Sequence, residues 1–206
     1  MNTIHTRVRR FATKFQCSLF ALGIAAVCPL NIFAQNGHAH APAAQQQEMA
    51  AEDQTNANTL LKVIRQATEQ YKDVNVAKAA GYALQFGCVS GEDSGAMGLH
   101  YVNMDLVNNA VLDPTRPQIV IYEPMPDGTL KLIGADFLIL AEGWNKTHSG
   151  APELMGQYFH LFTAPNRFGL PEFYTLHVWA WKPNPWGAFV NWHANVSCSS
   201  FAGEKQ

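Results

Sequence analysis

The sequence predicts an α+β domain: a mainly antiparallel β-sheet of about six strands, one or two helices before it, and one disulfide closing it. Three observations carry this expectation. Downstream of Cys88 the chain is a succession of short runs rich in β-branched and aromatic residues, separated by Gly, Pro, Asn and Asp. No long helical pattern divides these runs, which disfavours a parallel βαβ sheet. Helical periodicity is confined to the stretch before Cys88.

The helices come first. Leu60, Leu61, Val63, Ile64, Ala67 and Tyr71 fall at helical spacing, opposite Lys62, Arg65, Gln66, Glu69 and Gln70. Asp73 is placed to cap a second, shorter helix over 74–80, and Gly81 is placed to end it. Strands are expected over 99–103, 118–123, 129–140, 157–163, 172–182 and 188–192. The second and third form a hairpin through Pro124-Met125-Pro126-Asp127-Gly128, a loop dense in turn formers. Gly134 interrupts the alternation of its strand and marks a bulge.

Upstream, residues 1–34 read as a cleavable signal peptide. Arg7, Arg9, Arg10 and Lys14 precede an apolar segment that Pro29 ends, and Ala34 supplies the small residue before a cut at Gln35. The apolar run is shorter than the roughly 20 residues needed to span a bilayer, so no transmembrane anchor is expected. Arg9-Arg10 resembles a twin-arginine signal, but the residues after it fit that pattern poorly; a plain basic segment for the general export route is the better reading. The signal implies a periplasmic or secreted protein. Residues 35–56, without a β-branched residue before Thr55 and without an aromatic one, read as a disordered tether, and 57–206 as a single domain.

Removing the signal leaves ten cationic against sixteen acidic side chains, a formal −6, which argues against nucleic acid or anionic lipid as partner. It also leaves two cysteines, Cys88 and Cys198, whose simplest state in an oxidising compartment is one disulfide; two buried thiols are the alternative.

Chemistry is less legible. His100 in MGLHYVN and His177 in YTLHVWAW lie inside strand-like runs, and alternation puts Phe173, Thr175, Trp179 and Trp181 on the face of His177. Asp136 sits in an apolar strand, where a carboxylate requires a metal, a cation or a hydrogen-bond donor. With Glu123 these residues form a candidate first shell for zinc, manganese or iron, and His160 is a further candidate. Each also has a structural reading as a satisfied core or turn residue. His148 and His193 read as surface or structural. Four of the five tryptophans lie between Trp179 and Trp192, so Trp179, Trp181 and Trp186 are candidates for stacking on a sugar or an apolar ligand. Ser90, Ser94 and Ser197 lack a nucleophile elbow, and no Gly-rich phosphate loop precedes a helix.

MGLHYVN, IVIYEP followed by GTLKLIGADF, LHVWAWKPNPWGAF and the closing VSC resemble a family of uncharacterised secreted bacterial proteins, over Tyr71 to Cys198. The resemblance implies one exported domain and supplies no activity. It implies that His100, Glu123 and His177 belong to the family pattern, that Asp136 stands where Glu is usual, and that His193 stands where Asn is common. Three functions remain open: a metal-binding domain or metalloenzyme, a non-catalytic module for a small sugar or apolar ligand, and a structural protein without a site.

Overall fold

The structure, a computed structural model, describes residues 43–206. Residues 1–42, which hold the expected signal segment and the first part of the expected tether, lie outside the described residues. Helix α1 spans Ala43–Thr68, a 3-10 turn follows over Glu69–Lys72, and α2 spans Val74–Ala79. The expected tether therefore needs correction over 43–56, which is helical. Residues 47–55 are exposed, and the Ala, Gln and Glu among them are strong helix formers. Once Leu60 and Ile64 dock, the helix propagates through them without a new nucleus. Asp73 caps α2 as expected, accepting from the Asn75 amide at 2.9 Å.

Eight strands follow: β1 (Ala83–Ser90), β2 (Ala96–Val102), β3 (Ile119–Pro124), β4 (Leu130–Leu140), β5 (Glu153–Leu154), β6 (Gln157–Tyr158), β7 (His160–Phe162) and β8 (Phe173–Val178). Two short helices intervene, α3 (Met104–Asn109) and α4 (Ala141–Asn145). Six strands form one antiparallel sheet in the order β1-β2-β3-β4-β8-β7, and β5 and β6 pair separately. The run 157–163 is thus two strands that serve different sheets. No strand forms over 188–192. That stretch belongs to a looped segment tied by the Asn184 amide to the Trp192 carbonyl and by the Trp179 amide to the Ala188 carbonyl.

The bulge falls where the sequence placed it. Ile121 pairs with Gly134 and Tyr122 with Leu132, leaving Ile133 unpaired in the register. Glycine is required there because a Cβ on residue 134 would stand 2.6 Å from the Val178 carbonyl oxygen. One face of the sheet packs Ala135, Phe137, Tyr174, Leu176 and Val178 against Leu60 and Ile64 of α1. Each fully buried apolar side chain of this kind contributes about 1.5–3 kcal/mol. Cys88 and Cys198 form the expected disulfide, with Cα atoms 5.7 Å apart and a sequence separation of 110. Closing so long a loop stabilises the fold by about 4–5 kcal/mol in the chain-entropy model. Among the described residues, no helix is long and apolar enough to cross a membrane.

Candidate metal centre

The sheet face opposite α1 carries the polar residues. Asp136 on β4 and His177 on β8 are direct cross-strand partners, so their side chains rise together. His100 stands on β2, three strand intervals from β8. In a flat sheet that separation would be about 14 Å. The imidazole rings are nonetheless 5.6 Å apart between centroids and nearly perpendicular, and their Nε2 atoms are 3.3 Å apart. Sheet curl brings them together, and the absence of a side chain at Gly134, between the two strands, leaves room for it.

His100, Asp136 and His177 are 7%, 2% and 3% exposed, and one ligand atom from each lies within 4.8 Å of the others. The Nε2 separation equals the edge expected of a tetrahedral site with metal–nitrogen bonds of 2.0–2.1 Å, roughly 3.3 Å. Asp136 accepts a 2.5 Å hydrogen bond from the Thr175 hydroxyl, and its Oδ1 is 3.7 Å from His177 Nδ1, too far for a hydrogen bond.

Nitrogen bookkeeping decides how this cluster differs from a satisfied core. If one Nε2 donates to the other, His100 Nδ1 and His177 Nδ1 are both left without partners, and both are buried. Each unmet group costs about 1–3 kcal/mol. The Gly98 backbone lies beside His100, and the Asn191 amide, whose buried oxygen is also unpartnered, lies beside His177, neither in hydrogen-bonding geometry. A metal accepting both Nε2 lone pairs would make both Nδ1 atoms N–H donors next to oxygen acceptors, the usual outer arrangement of a metal-bound histidine.

Electrostatics point the same way. Burial, with His177 nearby, lowers the His100 pKa to about 4; burial, with His160 nearby, lowers that of His177 to about 3. Both rings are neutral at pH 7, the form that ligates. Burial raises the Asp136 pKa to about 6, opposed by His100, the Thr175 hydroxyl and two backbone amides, so the carboxylate is still largely ionised at neutral pH.

No protein-family model, curated protein or solved structure matches the chain.

The other expected residues are placed elsewhere. Glu123 stays out of the cluster: both its oxygens accept from Lys182 Nζ, at 2.8 and 2.6 Å. Its place at the end of the first hairpin strand made it a candidate, and its partner Lys182 is 59 residues away in sequence. His160 is exposed on edge strand β7, opposite Thr175, close enough to act on His177 but outside the ligand group. His193 is fully buried and satisfied: Nε2 is 3.3 Å from the Lys182 carbonyl and Nδ1 accepts from the Asn195 amide. His148 stacks on Trp144 at 3.7 Å.

The tryptophans do not line a shared pocket. Trp179 is buried between His177 and His193 and donates to the Val190 carbonyl. Trp181 lies past the end of β8, where the alternation no longer holds, and turns to the α1 side, donating to Thr68 Oγ1 with Lys72 over its ring. Trp186 is 52% exposed in its loop. An aromatic-lined cavity does exist, but phenylalanines make it: Phe86, Phe162, Phe168 and Phe173 stand over His100, Asp136, Thr175 and His177. Alternation already puts Phe173 on the His177 face, but it does not reach Phe86, which sits in a bulge of β1, or Phe168, which sits in a loop.

Proposed function

We propose that the protein is an exported metal-binding domain, with one divalent transition metal held by His100, His177 and Asp136. The observation that carries this reading is the pair of Nε2 atoms at 3.3 Å with both Nδ1 atoms buried and unpartnered. Two imidazoles and one carboxylate suit zinc, manganese or iron, and three protein ligands leave a coordination position free, as in catalytic rather than structural sites. His100, Asp136 and His177 all line the phenylalanine-walled cavity, so the free position would open toward it. Asp136 would complete the set by moving its carboxylate toward the two Nε2 atoms, since the three ligand atoms lie within 4.8 Å of one another and metal bonds near 2 Å would draw them closer. Thr175, bonded to Asp136, fixes which carboxylate lone pair faces the metal.

Export to the periplasm or beyond is supported by the basic-then-apolar leader, by the disulfide and by the resemblance to secreted bacterial proteins. A module for a small apolar ligand is the second reading, favoured by the same cavity; the histidines would then serve as its polar end.

Elemental analysis of untagged protein tests the proposal. One metal per chain is expected, lost in His100→Ala and in His177→Ala. Trace metal, unchanged by either substitution, would refute it.

A further inference from the structure

We propose that the site takes a neutral ligand of two or three heavy atoms, selected by an apolar chamber over the free coordination position; this rests on the metal reading above. The chamber leaves about 30 Å³ in which the centre of a water molecule can sit. One water needs roughly 10–15 Å³ on that scale, so about two waters fit, or a molecule of that size. A sugar, an amino acid or a nucleotide does not.

Its walls specify charge as well as size. Among the residues lining it there is no Lys or Arg, and Asp136 is the only carboxylate. The Thr175 hydroxyl is already committed to Asp136. A free anion would meet no countercharge other than the metal, and a hydrogen-bonding ligand would find no donor on the wall. A small, weakly solvated molecule loses nothing on entering such a space.

Aromatic rings form the rim. Phe86 lies in the β1 bulge with φ +64°, left-handed backbone that a bulky side chain rarely adopts. That conformation aims its half-buried ring at Phe168, 5.5 Å away, and both close over the cavity with Phe162. The strained position thus supplies a wall of the chamber.

Two probes test size and metal separately. In metal-free crystals under xenon pressure, one xenon atom is expected between the phenylalanines and His177, lost in Leu138→Trp, which fills the cavity. In protein loaded with iron(II), nitric oxide is expected to give a high-spin ferrous-nitrosyl signal, while imidazole binds at least 100-fold more weakly; Phe168→Ala should bring imidazole to within about tenfold of nitric oxide. Absence of xenon from the cavity, or imidazole binding as tightly as nitric oxide in the unaltered protein, would overturn the proposal. Xenon binding without any iron uptake would refute the metal reading while supporting the size selection.

Discussion

Two buried polar clusters stand beside the same sheet, and they differ in one respect. Around Lys182, a carboxylate, an ammonium and a histidine close on one another: Glu123 takes Lys182 Nζ with both oxygens, Lys182 Nζ also donates to the Asn195 carbonyl, and both His193 nitrogens have partners. Around Asp136, a carboxylate and two histidines share one close nitrogen–nitrogen contact and leave two ring nitrogens without partners. Buried polar groups in native proteins are nearly always satisfied. Burial alone therefore does not mark a site. A cluster that protein atoms complete is architecture, and one that a cation would complete is a candidate binding site.

The largest expected effect separates the two histidine types. His177→Ala should weaken metal binding by at least about 100-fold, since even outer partners of ligands are worth 10–100-fold. His193→Ala should leave metal affinity within about twofold but cost roughly 3 kcal/mol of stability, through lost packing on Trp179 and two lost hydrogen bonds. Metal titration and denaturant unfolding of both variants measure this split. Equal loss of metal in both would erase the distinction.

Next in size is Lys182→Met, which strands the Glu123 carboxylate at 8% exposure. A loss of about 2–3 kcal/mol is expected, at the low end for a broken buried pair because Lys182 keeps 22% of its side chain in water. Thr175→Val is gentler still: it removes the hydroxyl that orients Asp136 and should weaken metal binding by about tenfold with the ligands intact.

A pH dependence is expected as well. His100 and His177 have folded pKa values of about 4 and about 3, below the ordinary value near 6.5, so the unfolded chain binds more protons and stability is lost as pH falls from about 6.5. Asp136, raised to about 6, has the opposite sign: stability present below its ordinary value near 3.8 is lost as pH rises through 6. Two histidines outweigh one carboxylate, so metal-free protein should unfold at lower denaturant at pH 5 than at pH 7. Substituting both His100 and His177 should flatten or reverse that slope. Metal affinity should also fall below about pH 6, as Asp136 takes up its proton.

The sequence carried the local part of this arrangement. Alternation gave the strand positions of His100, Asp136 and His177, and a carboxylate between Ala135 and Phe137 was already conspicuous. Gly134 announced the bulge, and the two cysteines their pairing. What alternation could not supply was strand order: β8 docks on β4, so His177 faces Asp136, and the curl of the sheet then closes the gap to β2. The same lack of long-range information left Glu123 without its Lys182 and turned attention to tryptophans rather than phenylalanines. Helix α1 starts well before its first buried residue, Leu60, because its first half rests on helix propensity rather than on packing.

The central claim is most directly tested by anomalous diffraction from crystals grown with zinc, recorded on both sides of the zinc absorption edge. One peak about 2.0–2.2 Å from His100 Nε2, His177 Nε2 and an Asp136 oxygen is predicted, with none beside Glu123 or His193. No peak between His100 and His177, or a zinc ion bound only at exposed His148 or His160, would contradict the account.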